Sequence, residues 1–318
     1  MGRMVGCVVA SHAPFWDGRN LAPRHAGDQD RGGLRFLAAL REVRAAVTGL
    51  DPTLAVVMGP DHFRNFFYDV LPAICVGADR VRSFGDFGSG REDLPGAPRQ
   101  ARQLVRRLQS RGFDPAVSLD MGIDHGISQA YSALFPSGET ALVPVMVACT
   151  GPAAMLPARA LELGRALRRA IEELDDDERV VLVGSGGLAH WTPVLDPDDP
   201  GIDPGMRDYV VSGRARAREV AEAREAAIAE IVGGRRAGEV RLNPEWDRWF
   251  LDQISTPGGR AALAHLSSEE IEAAAGNGGQ EVRTWLVAAS AWDGDLDLRS
   301  YEPVPGWMTG MACAVGGL

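Results

Sequence analysis

The strongest constraint in this chain is an alternation of short apolar, β-branched runs with stretches of helical period. Val5–Ala10 reads as a buried strand, and from Phe36 apolar residues recur at Leu40, Val43, Val47 and Leu50, one face of a helix. Asp51-Pro52 ends that helix, and Leu54–Met58 is a second strand. Leu71–Val76, Ala116–Leu119, Leu142–Ala148 and Arg179–Val183 read as further strands. Helices are predicted between them over Arg99–Gln109 and Leu156–Leu174. Strands alternating with helices predict an α/β fold with a largely parallel sheet.

The last third changes character. Met206–Val232, rich in Arg, Glu and Ala, predicts a helix ending at Gly233-Gly234. Pro244–Ile254 places Trp246, Trp249, Phe250 and Ile254 on one helical face. Ser267 with Glu270 is a capping box for a helix that stops at Gly276, and Gln280–Trp292 is a further helix. No linker-like stretch divides the chain, so residues 1–318 are expected to form one domain. The Pro- and Asp-rich segment from Leu195 to Gly205 is expected to be an exposed loop.

Composition removes several function classes. Acids outnumber bases 43 to 33, a net charge of −10, against the basic footprint that nucleic acid or an anionic lipid surface requires. Every base is Arg, so a lysine Schiff base and a P-loop lysine are excluded. Cys7, Cys75, Cys149 and Cys313 are far apart, with no CxxC motif, and sit among apolar residues. They read as buried thiols in a reducing compartment. The first residues are too soon polar for a signal peptide, and no apolar run has the length of a membrane span. A cytoplasmic protein is expected.

Four of the six histidines follow strand ends: His12, His62, His125 and His190. Ligands of open α/β sheets bind outside the carboxyl ends of strands. Imidazole offers neutral nitrogen ligands and titrates near neutrality, so the cluster suits a metal, proton transfer or both. His25, in a polar loop, and His265, on a helix, fit ordinary structural roles. Gly184-x-Gly186-x-x-Ala189 formally matches a dinucleotide fingerprint, but His190-Trp191-Thr192-Pro193 follows at once, and Pro193 resists the helix that fingerprint must open. These glycines are expected to let backbone approach a compact site.

At these residues the chain resembles the class III (LigB-type) extradiol ring-cleavage dioxygenases, most closely the 3-carboxyethylcatechol 2,3-dioxygenases. The resemblance rests on Ser11-His12-Ala13-Pro14, on Pro60-Asp61-His62-Phe63 continuing through Phe66 to Val70, and on Gly85-Asp86-Phe87-Gly88. It continues in Asp124-His125-Gly126, Gly184 to His190, Leu242 to Asp247 and Glu281-Val282-Arg283-Thr284-Trp285. It implies a LigB-like fold, a mostly parallel mixed sheet flanked by helices with a helical C-terminal third. It implies an iron(II) site with His12, His62 and Glu281 as ligands, a facial triad that leaves coordination positions open. Independently, Glu281 falls in the first turn of a helix, where a carboxylate is favoured. His125 and His190 match the family's acid/base pair, His190 as base and His125 as proton donor. The implied partners are a small aromatic diol and O₂, with a homo-oligomer as the family's assembly.

Asp61 and Asp124 precede site histidines and would either orient imidazoles or serve as turn acids. The chain departs from the family where Ala189 precedes His190 in place of Ser, and where Trp191-Thr192-Pro193 replaces Gln-Pro-Pro. Phe63-Arg64-Asn65 likewise replaces Tyr-Asn-Gly. Arg64 would pair with a substrate carboxylate or be a solvated surface residue; Trp191 would stack on a ring or fill core. The expected reaction is ring cleavage of a 3-substituted catechol, a related o-diphenol or an aminophenol. A zinc-dependent hydrolase on the same histidines and a non-enzymatic binding protein on the same fold stay open as alternatives.

Overall fold

A computed structural model describes residues 2–25, 30–174, 177–193, 195–232 and 240–318. Its strands are β1 (Arg3–Ser11), β2 (Trp16–Asp17), β3 (Ala22–Pro23), β4 (Leu54–Gly59), β5 (Ile74–Ser83), β6 (Asp93–Leu94), β7 (Ala116–Ile123), β8 (Ala141–Val147), β9 (Arg179–Gly186), β10 (Asp297–Val304) and β11 (Thr309–Gly316). Its helices are α1 (Arg31–Gly49), α2 (Pro98–Gln109), α3 (His125–Leu134), α4 (Pro157–Glu172), α5 (Pro204–Ser212), α6 (Ala217–Val232), α7 (Pro244–Ile254), α8 (Pro257–Leu263), α9 (Ser268–Ala275) and α10 (Val282–Trp292). Apart from the small β2–β3 ladder, the strands join one sheet in the order β10-β11-β1-β9-β4-β8-β5-β6, with β7 paired to β5.

The sheet is mixed. Its centre, β1-β9-β4-β8, is parallel, as the alternating pattern predicts. These four strands are nearly continuous apolar runs, because helices cover both faces. Successive side chains divide between the two faces: Cys7 and Val9 pack with α2, α4, α7 and α10, whereas Val8 and Ala10 pack with α1 and α3. The buried stripe of α1, Phe36, Leu37, Leu40, Val43 and Val47, contains four of the five predicted positions and adds Leu37, while Leu50 is the half-buried C-cap. Both hydrogen bonds of the Ser267/Glu270 capping box are present, and α9 stops at Gly276.

The flanks depart from the expectation. β5 runs antiparallel to β8, and the C-terminal hairpin β10–β11 pairs antiparallel with β1, with Cys7 opposite Gly316 and Ala10 opposite Cys313. The helical last third therefore closes on two strands. β11 was not legible because its eight buried residues, Thr-Gly-Met-Ala-Cys-Ala-Val-Gly, carry one β-branched hydrophobe and no polar alternation. The helix expected over Met206–Val232 is two helices, broken by a 3₁₀ turn at Gly213–Arg216. Its expected end at Gly233-Gly234 lies outside the described residues. All four cysteines are buried free thiols. No described helix is long and apolar enough to cross a membrane.

Candidate metal centre

β1, β4 and β9 run parallel and end at Ser11, Gly59 and Gly186 on one edge of the sheet. His12, His62 and His190 follow those ends. His125 arrives by another route. β7 is parallel to β5 and so opposes the central strands, and it is α3, whose first residue is His125, that brings this imidazole to the cluster. The helix start lies directly against the end of β4: a Cβ on Gly59 would sit 2.4 Å from the Gly126 carbonyl oxygen.

His12 and His62 point their Nε2 atoms at one another, 3.4 Å apart. Glu281 closes the triangle, with Oε1 3.1 Å from His62 Nε2 and Oε2 3.2 Å from His12 Nε2. Glu281 ends the 3₁₀ turn Gly278–Glu281 that leads into α10. Its buried Oε2 accepts no hydrogen bond. Edges of this length are what bonds of about 2.1 Å from nitrogen and oxygen donors subtend at one cation. Two imidazoles, one carboxylate and an orphaned buried acceptor therefore fit a divalent metal.

Burial pushes the His12 imidazole down to about 3 against the pull of Glu281, so it is neutral, the form that binds metal. Burial acts the same way on His62, but Asp124 and Glu281 outweigh it and lift this ring to about 10. Burial would raise Glu281; the two imidazoles overcome it and hold the carboxyl down to about 2. The protonated His62 ring faces Asp124 through Nδ1 and Glu281 through Nε2, and a metal cation would stand in place of the Nε2 proton.

His125 also lies within reach: ring nitrogens of His12, His62 and His125 fall within 4.8 Å of one another. Its ring stacks on His62 with centroids 4.1 Å apart and planes 23° from parallel. Stacked rings send their in-plane lone pairs side by side rather than to one point, which favours Glu281 as the third donor. His125 Nδ1 is 2.8 Å from Asp86 Oδ2, and its backbone N–H donates to Asp86 Oδ1 at 3.0 Å. His190 Nδ1 donates to the Leu188 carbonyl at 2.8 Å, which leaves Nε2 with its lone pair. Two glycines let this ring in: a Cβ on Gly278 would lie 2.2 Å from His190 Nε2, and one on Gly187 would lie 2.4 Å from His190 Cε1 and 3.2 Å from Glu281 Oε2.

The family described as "Catalytic LigB subunit of aromatic ring-opening dioxygenase" matches residues 6–312. The chain belongs to the LigB family. It is a ring-cleaving dioxygenase. Relatives named 2,3-dihydroxyphenylpropionate/2,3-dihydroxicinnamic acid 1,2-dioxygenase include those of Photorhabdus laumondii, 33% identical with 86% of each chain covered, and Burkholderia vietnamiensis, 33% identical with 94% of this chain and 93% of that one covered. That of Paraburkholderia xenovorans is 36% identical, covering 83% of this chain and 84% of that one. A crystal structure of the uncharacterized protein JW3007 from Escherichia coli K12 shares the fold, with a TM-score of 0.50 at 17% identity over 98% of this chain and 99% of that one.

In this LigB dioxygenase the groups around the imidazoles take roles among the alternatives the sequence left open. Asp124 caps α3 through Gly126 N and also contacts His62 Nδ1 at 3.1 Å, so it is both turn acid and imidazole partner. Asp61 orients no imidazole. Its carboxylate accepts the backbone N–H groups of Arg64, Asn65 and Phe66 and the Asn65 amide, closing its own turn. Trp191 lies under the Arg241 guanidinium, 4.0 Å from the ring centroid, against the core beside Gly276. Arg64 is not a solvated surface residue; it is 2% exposed. Two supporting residues stood in the family-like stretches without a role of their own: Asp86, and Ser185, whose Oγ is 3.0 Å from His12 Nδ1. Asp86 had a signal in its flanking glycines, Gly85 and Gly88, which adopt φ of 75° and 78° in a tight loop. Ser185 was one small residue inside the family-like run from Gly184 to His190.

Proposed function

We propose that this LigB dioxygenase opens a catechol ring with O₂ by extradiol (meta) cleavage, using iron(II) held by His12, His62 and Glu281. The observation that carries this reading is the triangle of the two Nε2 atoms and the Glu281 carboxylate, with edges of 3.1–3.4 Å. Two histidines and one carboxylate with open positions are the donor set of non-haem iron(II) oxygenases. Bound iron would gather catechol and O₂ side by side and pass electron density between them. His190, with Nδ1 committed to Leu188 O, takes the catechol hydroxyl proton at Nε2. His125, fixed through Nδ1 by Asp86, delivers a proton from Nε2 during ring opening. The Phe87 ring meets His125 edge-on at 4.7 Å and keeps water from that wall.

The substrate we favour is a 3-substituted catechol resembling 2,3-dihydroxyphenylpropionate, the compound in the relatives' names. One domain, a homo-oligomeric assembly and a cytoplasmic site of action belong to the same proposal; the four free thiols support a reducing compartment. The test is anaerobic loading with iron(II), then a panel of catechols and aminophenols with oxygen uptake and the yellow ring-opened product as readouts. Stoichiometric oxygen uptake with the yellow product supports the reading. Metal-dependent hydrolysis without oxygen uptake would replace it with the zinc hydrolase alternative.

A further inference from the structure

The two imidazoles outside the triangle are held differently. His125 meets an acid, Asp86, through Nδ1. His190 Nδ1 donates instead to a backbone carbonyl, that of Leu188, at 2.8 Å. The same peptide unit carries the Ala189 N–H on its opposite edge, and that N–H donates to Asp247 Oδ1 at 2.8 Å. A peptide group is planar and trans, so its N–H and C=O point in opposite directions from one rigid plate. Fixing the N–H on Asp247 therefore fixes the direction of the carbonyl that meets His190. A chain of hydrogen bonds runs from the Asp247 carboxylate through one peptide group to His190 Nδ1, and the bonds of such a chain polarise one another.

Three elements converge to hold Asp247 at that peptide. The residue stands in the first turn of α7 and is buried. Its second oxygen, Oδ2, accepts the hydroxyl of Tyr301 on β10 at 2.9 Å. Gly310 of β11 leaves room for it: a Cβ there would lie 2.2 Å from Oδ2. Two donors meet one side chain, so a carboxylate, with an acceptor oxygen for each, satisfies both. The backbone of His190 is pinned on its other sides as well. Its N–H donates to the Ala275 carbonyl at 2.9 Å, and its carbonyl accepts the Gly278 N–H at 3.2 Å. Asn243, the cap of α7, donates from Nδ2 to the neighbouring Ala274 carbonyl at 2.8 Å. The family-like stretch from Leu242 to Asp247 thus turns Asp247 and Asn243 toward the backbone that frames His190.

We propose that Asp247 is a positioning residue for the ring-opening reaction: through the Leu188–Ala189 peptide it holds His190 as the Nδ1–H tautomer, with Nε2 free to accept a proton. The tautomer of an imidazole is set by the hydrogen bond its other nitrogen makes. This rests on His190 being the proton acceptor in the reading above and deepens it, because it names the group that prepares the acceptor.

The test joins two measurements on the full chain: turnover of 2,3-dihydroxyphenylpropionate by the iron(II)-loaded protein, and nitrogen-15 NMR of the histidine-labelled protein loaded with diamagnetic zinc(II). The chain has 6 histidines, and the His190 signals are assigned by their loss in His190→Ala. The wild type should show His190 as the Nδ1–H tautomer. Asp247→Ala should populate the Nε2–H tautomer and lower kcat about tenfold or more, with KM and metal content unchanged. Asp247→Asn keeps an acceptor for the Ala189 N–H but loses the charge. It should keep the Nδ1–H tautomer, move that proton's signal upfield as the Leu188 carbonyl becomes a weaker acceptor, and restore much of the kcat lost in Asp247→Ala. Tyr301→Phe removes the other bond to Asp247 and leaves the peptide alone, so it should lower the melting temperature with kcat unchanged. An Nε2–H tautomer in the wild type, or a His190 Nδ1–H signal that does not move in Asp247→Asn, overturns the proposal, and both can be read even where Asp247→Ala does not fold. If His190→Ala keeps full turnover while Asp247→Ala still shifts the His190 tautomer, the proton-acceptor reading fails and Asp247 still positions the ring.

Discussion

Asp124 holds His62 at two points: Oδ2 accepts the His62 backbone N–H at 2.6 Å and lies 3.1 Å from Nδ1 of the ring. The other oxygen, Oδ1, accepts from Gly126 N and caps α3. One carboxylate thus sets the orientation of the His62 imidazole and the start of the helix that begins with His125. The His62 cation holds Asp124 well below the usual carboxylate range. Asp124→Ala should lower metal affinity about 10–100-fold, since outer partners of this kind orient the ligand. The lost cap should lower stability by about 1 kcal/mol. Metal titration with a melting curve reads both.

The two histidine pairs should separate in mutants. His12→Ala and Glu281→Gln each remove a corner of the triangle and should abolish tight metal binding in equilibrium dialysis. His125→Ala and His190→Ala should keep the metal while kcat falls about 10²–10⁴-fold, the usual contribution of a proton-transfer group. Metal loss in His190→Ala, or full turnover without it, would remove that residue from the proton-transfer role.

Gly278→Ala should resemble His190→Ala. The added Cβ would fall 2.2 Å from His190 Nε2, so the ring must leave its place. Turnover should drop about 10²-fold or more with metal content unchanged. Metal analysis beside single-turnover kinetics checks this.

Stability should depend on pH through Asp247. It is 1% exposed, and its carboxylate accepts from Ala189 N at 2.8 Å and the Tyr301 hydroxyl at 2.9 Å. Burial pushes it from the ordinary 3.8 up to about 6. The folded protein therefore binds a proton that the unfolded chain has already released between those values. Its own contribution to stability falls as pH rises through that window, by on the order of 3 kcal/mol, while buried His12, held low in the folded protein, contributes in the opposite direction. The difference between urea melts of the wild type and of Asp247→Asn from pH 4 to 7 should show the Asp247 decline. A decline of equal size in that variant would assign it to another group.

The legible parts of this protein are those written in local pattern. β1, β4, β8 and β9 are apolar runs, and α1, α2, α4 and α7 carry a 3.6-residue stripe, so they were visible in the chain. His12, His62, His125 and His190 were visible because each follows a strand end, although parallel strands deliver only His12, His62 and His190 and α3 delivers His125. β10 was hidden because it opens with three exposed residues, Asp297-Leu298-Arg299, and only its last residue is buried. β11 was hidden because small residues suffice where β1 covers it. The helix α3 was missed entirely, because His125-Gly126-Ile127-Ser128-Gln129 is buried nearly all round and shows no amphipathic period.

From residue types and spacing alone came the parallel centre of the sheet, the buried thiols, the absence of lysine chemistry and the gathering of four imidazoles, of which His125 arrives on α3 and the other three from the ends of parallel strands. Local periodicity and strand direction carry such information, because each depends on neighbours a few positions apart. Only the folded chain decided the distances at which Glu281, 219 residues after His62 and named beforehand by the family resemblance, meets both imidazoles; that Asp86 contacts His125; and that Arg64 is buried beside Asp86. Each of these is a contact between distant segments. Its geometry follows from how helices and loops pack on the sheet, which no window of sequence contains.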